Sequence, residues 1–310
     1  MKLCYALRRG VYYPSQRDAF GEMPVRELRP RYLKLVREGG FEGTEIPAGG
    51  WLANKADEQT ARELGAELRD AGLPAVCVRG GGPIAHPQQG AKVRERMRSV
   101  IDFAAWIGAS VVNTTIVTPA TLPNGPGSER RGERTSQGAS RYASEADFVE
   151  AAKQLREVGQ RAADKGLDVS IEIHQGSIAD NSWSGLRLVE LIGLPNVGVN
   201  PDLGNIFWHF EEPEETSEAA IVAMAPKAKY WHCKSLKKVH YPQLEKAIFL
   251  RVPLDIGDID YRFAVSAMVD AGYQGYMAIE GANSGDQLTQ DIRSAKYARG
   301  LIEQAQAVAR

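Results

Sequence analysis

Four side chains of metal-binding type stand at or near the ends of four successive β-rich runs. They are Glu172, Asp202, His232 and Glu280. Carboxylates that crowd together repel one another and are costly to remove from water, so three of them beside an imidazole indicate a divalent cation. Oxygen-rich ligand sets suit Mn²⁺ or Mg²⁺, and an imidazole also permits Co²⁺ or Zn²⁺. The sequence therefore predicts one bound divalent ion, with Mn²⁺ preferred.

The same runs carry groups that can transfer protons. Side chains alternate along a strand, so His174 shares a face with Glu172 and Lys234 shares one with His232. His174 is the preferred general base, and its alternative role is to orient a ligand or the substrate. Glu172 and Glu280 are alternative bases that would exchange a proton from opposite faces of a substrate. Lys234 is a candidate acid or an anchor for a hydroxyl group.

Five further residues are weaker candidates for substrate contacts, chosen from strand ends, from the ligand motifs and from the segment that follows the seventh strand. They are Glu45, Asn113, Asn205, Trp208 and Arg251. Flat aromatic rings commonly stack on sugars or on other rings, although ordinary packing is the alternative role of a tryptophan. Arg251 is the candidate for a basic group that holds the substrate.

Eight β-rich runs alternate with eight stretches of helical periodicity. The predicted strands are Leu3–Leu7, Gly43–Ile46, Ala75–Arg79, Ser110–Ile116, Asp168–His174, Val197–Asn200, Lys229–Lys234 and Tyr276–Glu280. The predicted helices cover residues 24–38, 55–72, 90–108, 144–165, 183–193, 213–226, 260–272 and 286–308. This alternation predicts an α/β fold, a single-domain (β/α)8 TIM barrel spanning residues 1–310. An open doubly wound sheet is the alternative, disfavoured because no G-x-G-x-x-G follows the first strand.

Two segments are too long for ordinary connections between elements. One covers residues 118–143 after the fourth strand, and the other covers residues 235–259 after the seventh. In a barrel both would lie at the carboxyl ends of the strands, which is the catalytic face. We expect long loops there that act as substrate lids or partner surfaces, with disordered insertions as the alternative.

Composition limits the class of protein. The 310 residues are 43% hydrophobic and 25% charged, as in ordinary globular proteins, and the net charge is −1. This balance argues against a broad nucleic-acid surface. No apolar run approaches the roughly 18 residues of a membrane span, and the three cysteines form no C-x-x-C pair. The expectation is a cytoplasmic protein with free thiols and with neither a membrane nor a nucleic acid as partner.

The motifs around the four metal-type residues resemble a known family. IEIH, NPDLGN, WHCK and AIEG, in this order, resemble the sugar phosphate isomerase/epimerase superfamily of xylose isomerase-like barrels, and GFEGTEI and VPLDIGDIDY are similar to it as well. The resemblance implies a Glu–Asp–His–Glu metal site and removal of a proton beside a sugar carbonyl. The sequence departs from the pattern at Ser235, where many relatives are acidic, and at Asp255, which replaces a glycine.

A narrower resemblance accounts for these departures. EIHQGSIADNSWSG and NVGVNPDLGNIFWHF resemble the larger subunit of bacterial C-glycoside deglycosidases. That resemblance implies cleavage of the carbon–carbon bond of a 3-keto-C-glycoside by elimination. It also implies a small β-subunit as partner in a hetero-oligomer.

Three other functions remain as alternatives. A sugar (phosphate) isomerase or epimerase would interconvert ketoses by the same proton abstraction. An apurinic endonuclease of the same superfamily would need several metals, many histidines and a basic groove, whereas this chain has five histidines and a net charge of −1. A binding barrel without enzymatic activity is the third.

Overall fold

The computed structural model describes most of the chain. The described ranges are 1–7, 26–27, 29–49, 56–115, 140–209, 213–244, 246–281 and 286–309, with the backbone of 130–131 and 134–135. Within them the strands are β1 (Lys2–Ala6), β2 (Gly43–Pro47), β3 (Ala75–Arg79), β4 (Val111–Thr115), β5 (Asp168–Glu172), β6 (Val197–Asn200), β7 (Trp231–Cys233), β8 (Ser235–Tyr241), β9 (Lys246–Val252) and β10 (Tyr276–Ile279).

Eight of these strands form one parallel sheet in the order β6-β5-β4-β3-β2-β1-β10-β7. β6 and β7 are the two edges of that order. A parallel bridge between Val199 and Ala228 links them, and Lys229 N donates to Val199 O at 3.0 Å. The sheet is therefore a nearly closed barrel, and the predicted (β/α)8 fold is confirmed. Each barrel strand lies within two residues of its predicted bounds.

Helices surround the barrel. They are α1 (Arg29–Glu38), α2 (Glu58–Asp70), α3 (Gly90–Ile107), α4 (Glu145–Ala163), α5 (Ser182–Ile192), α6 (Leu203–Phe207), α7 (Ser217–Met224), α8 (Tyr261–Asp270) and α9 (Gln287–Val308). All of them except α6 correspond to predicted helical stretches. Short polar side chains start several of them: the Ser144 hydroxyl accepts from the backbone N–H of Asp147 ahead of α4, and Asn181 does the same for Ser184 in α5.

The alternation of β5 separates the helix-facing layer from the barrel interior. Val169, Ile171 and Ile173 are fully buried in the hydrophobic core, whereas Ser170 and Glu172 occupy the opposite parity. Gly185 of α5 lets the helix approach closely, because a Cβ there would lie 2.4 Å from Ile173 Cδ1. This packing seats α5 against β5 and holds the strand that ends in Glu172.

The expectation of a long loop at residues 235–259 is wrong for most of that segment. β8 and β9 pair antiparallel from Ser235↔Val252 to Tyr241↔Lys246. Leu236 and Ala247 are buried beneath this hairpin. The ladder pairs residues up to 17 positions apart, so its register is decided by contacts that a local sequence pattern does not contain.

The other predicted loop, residues 118–143, lies largely outside the described residues. Arg130–Arg131 pairs antiparallel with Arg134–Thr135, and Ser140–Tyr142 form one 3-10 turn. Among the helices described, none has both the length and the hydropathy needed to cross a membrane.

Candidate metal centre

The four metal-type residues meet at the carboxyl ends of neighbouring strands. Glu172 is the last residue of β5, Asp202 precedes α6 just after β6, His232 lies in β7, and Glu280 follows β10. All four are at most 2% exposed. One ligand atom from each lies within 4.8 Å of those of the other three. The strand ends of the barrel thus bring four distant parts of the sequence together.

The imidazole of His232 faces the three carboxylates. Its Nδ1 lies 3.4 Å from Glu280 Oε1, 3.5 Å from Glu172 Oε1 and 3.9 Å from Asp202 Oδ2. This nitrogen is buried, and the part of the chain that the structure describes offers it no hydrogen-bond partner. A cation between Nδ1 and the three oxygens would satisfy all of them, since one nitrogen and several carboxylate oxygens form a ligand set for a divalent ion. The residues therefore fit one such ion.

The other face of the same imidazole is held by Glu45. His232 Nε2 lies 2.5 Å from Glu45 Oε2, and Glu45 Oε1 accepts a hydrogen bond from Arg79 Nη1. Glu45 is fully buried. It was predicted to contact substrate, but the structure places its carboxylate between His232 and Arg79. A carboxylate behind a metal-ligating histidine is a common way to orient the ring.

Three buried amides support the carboxylates. Asn113 Nδ2 donates to Glu172 Oε2 at 2.9 Å and its Oδ1 accepts from Asn200 Nδ2 at 3.1 Å. Asn205 Nδ2 contacts both Asp202 Oδ2 at 2.9 Å and Glu172 Oε1 at 3.2 Å. Asn113 and Asn205 were also predicted to contact substrate, and the structure places both among the metal-type residues, at most 2% exposed. Asn200, which sequence analysis missed, also accepts from His232 N at 2.7 Å.

Lys234 lies between two of the carboxylates. Its Nζ donates to Asp202 Oδ2 and, at 2.7 Å, to Glu280 Oε2. The side chain is 2% exposed. A lysine in this position partly neutralises the two carboxylates. The sequence predicted an acid or an anchor for a hydroxyl group at Lys234, and the pairing with Asp202 and Glu280 was not foreseen.

Arg251 and Trp208 form the outer wall beside Glu280. The guanidinium carbon of Arg251 lies 5.3 Å from the centre of the Trp208 ring, and its Nη2 lies 3.8 Å from Glu280 Oε2. Its Nε and Nη1 are buried and have no hydrogen-bond partner within the described ranges, and burial lowers its pKa. Phe249 of β9 packs on the Trp208 ring at 6.2 Å. The hairpin thus delivers a cation and an aromatic surface to the site.

The electrostatics of the site favour bound cations. Burial by itself raises the pKa of Glu172, but the charges of His232, His174 and Lys234 outweigh it and hold that pKa well below its usual value. Burial lowers the pKa of His232, whereas Glu45 and Glu172 raise it to a net value above the ordinary one. A proton and a metal ion would therefore compete for His232 Nδ1.

His174 lies beside this cluster. Its Nδ1 is 2.9 Å from the carbonyl oxygen of Gln175. Since a carbonyl can only accept, the neutral ring carries its proton on Nδ1 and its lone pair on Nε2. His174 and Glu172 both line a cavity of about 920 Å³ that also borders Arg79 and Thr115. The predicted base is therefore at the cavity wall, two residues from Glu172.

The family model of the xylose isomerase-like TIM barrel matches residues 33–301. This chain belongs to the xylose isomerase-like TIM barrel family. No curated protein sequence matches it significantly. The match includes all four metal-type residues, His174 and Lys234, and the barrel architecture agrees with it.

Several solved structures have the same fold as this xylose isomerase-like barrel and match nearly its full length. A xylose isomerase-like TIM barrel protein from Mycobacterium smegmatis, in complex with magnesium, has a TM-score of 0.74 and 19% identity, over 98% of this chain and 97% of that one. An L-ribulose 3-epimerase has a TM-score of 0.72 and 17% identity, over 99% of this chain and 96% of the epimerase chain. A probable 3-DHS dehydratase from Bacillus anthracis has a TM-score of 0.67 and 17% identity, over 96% of this chain and 99% of the dehydratase chain.

Proposed function

We propose that this xylose isomerase-like barrel is a divalent-metal-dependent enzyme that removes a proton beside a sugar carbonyl. One observation carries the proposal: the buried Nδ1 of His232 has no hydrogen-bond partner among the described residues and faces three carboxylates at 3.4–3.9 Å. The similar L-ribulose 3-epimerase and the magnesium complex support it. A sugar isomerase or epimerase is the reaction that these similarities favour.

The proposed cofactor is one divalent ion held by Glu172, Asp202, His232 and Glu280, with Mn²⁺ ahead of Mg²⁺, Co²⁺ and Zn²⁺. Three carboxylates and one imidazole are a mostly hard ligand set, which suits Mn²⁺ and Mg²⁺. Elemental analysis of protein purified without added metal identifies the ion. Glu280→Gln should lose it, and a Glu280→Gln protein that retains a full equivalent would contradict the assignment.

The residues of the site have different roles in the proposed reaction. A bound divalent ion supplies Lewis-acid polarisation of the substrate carbonyl, which makes the neighbouring C–H more acidic. His174 accepts that proton at Nε2, because its Nδ1–H is engaged by Gln175 O. Arg251 and Trp208 bind the part of the substrate that extends beyond Glu280. Lys234 holds Asp202 and Glu280 and remains the candidate acid.

An epimerase variant of this mechanism uses the carboxylates instead. Glu172 and Glu280 would then remove and return the proton from opposite faces of the sugar. His174→Ala distinguishes the two mechanisms, because a variant that keeps its metal should lose turnover if His174 is the base and retain it if the carboxylates are.

A second candidate, the C-glycoside deglycosidase, has its own supporting observation. The Trp208 ring, with the Arg251 guanidinium carbon 5.3 Å from its centre, offers a flat surface and a cation for an aromatic aglycone and its phenolic oxygen. Proton removal from a 3-keto sugar would then expel the aglycone, with Lys234 as the candidate acid. The probable dehydratase with the same fold supports an elimination on this scaffold. This candidate includes a small β-subunit as partner.

Substrate assays distinguish the two candidates. The metal-loaded protein is incubated with free ketoses and separately with a 3-keto-C-glycoside, with and without a co-expressed small β-sheet partner. An epimer or isomer from the ketose supports the isomerase. Release of the aglycone supports the deglycosidase, and turnover of neither substrate by protein that holds its ion would contradict both.

A further inference from the structure

We infer that Glu45 is a positioning residue that sets the tautomer of His232, and that Arg79 orients Glu45 for this role. Neither side chain belongs to the four metal-type residues. The inference rests on the proposed function, because it concerns how this chain prepares one nitrogen for a metal ion. Its basis is a row of three side chains from three strands, Arg79 of β3, Glu45 of β2 and His232 of β7.

The row crosses the interior of the barrel. β2 and β7 are separated in the sheet by β1 and β10, so the contact between Glu45 and His232 joins strands that are not neighbours. Both side chains are fully buried, and the Arg79 side chain is 16% exposed. A buried carboxylate is costly unless paired, and Arg79 supplies the pairing charge for Glu45.

The chemistry of the contact decides where the imidazole proton lies. Glu45 Oε2, 2.5 Å from His232 Nε2, is a carboxylate oxygen and accepts hydrogen bonds. A neutral His232 therefore carries its proton on Nε2 and keeps the lone pair on Nδ1. That lone pair faces Glu172, Asp202 and Glu280, and without it Nδ1 cannot bind a cation.

Arg79 makes the effect of a single substitution predictable. In Glu45→Gln the amide has one acceptor end and one donor end. Arg79 can only donate, so it selects the amide oxygen and leaves the amide N–H₂ facing His232 Nε2. The N–H₂ group requires a lone pair at Nε2, and the imidazole proton then moves to Nδ1, where it blocks the metal site.

Two measurements test the inference. The first is the ¹⁵N–¹H spectrum of the histidine side chains of metal-free protein at pH 9, with the His232 signal assigned by its loss in His232→Asn. We expect the Nε2–H tautomer in the wild-type protein and the Nδ1–H tautomer in Glu45→Gln. The second is calorimetric titration with Mn²⁺, in which Glu45→Gln should bind about 10–100-fold more weakly.

A double variant isolates the part played by Arg79. In Glu45→Gln/Arg79→Met the amide is released from Arg79, turns its oxygen to Nε2–H, and restores the Nε2–H tautomer. We expect it to regain at least about tenfold in Mn²⁺ affinity over Glu45→Gln, since this is the lower end of the expected loss. Glu42→Gln is the matched control, because Glu42 pairs with Arg299 away from the metal-type residues. It should bind Mn²⁺ as the wild type does.

The outcomes separate this inference from the proposed function. Wild-type protein that binds no divalent ion overturns both. Wild-type protein that binds Mn²⁺ but has His232 as the Nδ1–H tautomer overturns only the role of Glu45, and this result needs no variant to fold. Glu45→Gln that binds Mn²⁺ within twofold of the wild type overturns it as well. No recovery in the double variant, with circular dichroism unchanged, overturns the role of Arg79.

Discussion

Individual side chains in this site have oppositely charged neighbours that compensate for their burial. Lys234 bridges Asp202 and Glu280, and Arg79 pairs with Glu45. Single buried carboxylates without such partners would take up a proton instead. Among the described residues, Nδ1 of His232 has no hydrogen-bond partner although it faces three carboxylates, and a cation bound there would pair with all four groups.

The role of His174 is tested by His174→Ala. We expect turnover to fall at least about 100-fold, because a positioned general base contributes 10²–10⁴-fold, while the bound metal stays at one equivalent. The measurements are single-turnover rates and elemental analysis. Loss of the metal together with activity would mean that His174 supports Glu172 rather than acting as the base.

His209 makes stability depend on pH. It is 1% exposed, no described residue bonds to its Nε2, and burial lowers its pKa from 6.5 to about 4. Below pH 6.5 the unfolded chain binds a proton that the folded protein does not, so stability is complete above pH 6.5 and is lost as the pH falls towards 4. The loss from this residue is about 3 kcal/mol.

His209→Phe checks this expectation, since it replaces the imidazole with a ring that does not titrate. Urea unfolding of wild type and variant at pH 7.5 and pH 4.5 gives the difference directly. The wild type should lose roughly 2–3 kcal/mol more than the variant over that interval. Equal losses would show that His209 titrates in the same way in the folded and unfolded chain.

At the scale of elements, α6 explains how Asp202 reaches the centre. Asp202 Oδ1 accepts from the backbone N–H of Asn205 at 3.2 Å and so starts the helix, while Oδ2 accepts from Lys234. One carboxylate therefore caps a helix and faces the metal-type cluster. The helix also directs the Asn205 amide to Glu172, which joins β5 and β6 at their carboxyl ends.

Close packing of α6 on Lys234 leads to a stability prediction. A Cβ on Gly204 would lie 2.4 Å from Lys234 Cγ and 3.0 Å from Lys234 O. Gly204→Ala should therefore displace Lys234 and cost about 1–3 kcal/mol of unfolding free energy. Gly300→Ala in α9 is the matched control, because nothing lies within 4 Å of its added methyl. It should be neutral or stabilising by up to about 1 kcal/mol.

Equilibrium urea unfolding measures both variants. The expectation for α6 is contradicted if Gly204→Ala is as stable as Gly300→Ala. Metal binding provides a second readout, because Gly204→Ala should also disturb the contacts that Lys234 makes with Asp202 and Glu280.

In the barrel as a whole, the metal-type residues lie on both sides of the place where the sheet has the fewest backbone hydrogen bonds between strands. They come from β5, β6, β7 and β10, and the edges β6 and β7 are joined by the bridge Val199–Ala228 rather than by a ladder. The contact from His232 N to Asn200 Oδ1 adds a side-chain link across the same seam. An ion held by these four strands would close the barrel.

Metal binding should therefore protect the seam. Saturating Mn²⁺, at about 1,000 times its dissociation constant, should stabilise the protein by about 4 kcal/mol. Hydrogen exchange followed by mass spectrometry should slow in β6 and β7 more than in β2 and β3. Glu280→Gln with the same Mn²⁺ is the control. Equal protection of all strands, or none, would argue against an ion at the seam.

Local sequence patterns predict the elements and the types of residue at their ends, because strand and helix periodicities and turn residues depend on residues close together in the chain. For this reason the sequence predicts the eight barrel strands and the helices around them. It also predicts which strands end near Glu172, Asp202, His232 and Glu280. The short helix α6 and the β8–β9 hairpin were not predicted. Helix α6 packs against Lys234, and Phe249 of the hairpin packs against Trp208, and these partners are distant in the sequence.

The hydrogen-bond partners of the buried polar residues follow from the packing of the barrel. Asn113, Asn205 and Glu45 have residue types that suit a substrate contact, yet the barrel turns them towards Glu172, Asp202 and His232. The contact from Glu45 to His232 spans 187 positions of sequence. Hydrogen-bond partners at such separations depend on strand register and barrel closure, which no local pattern encodes.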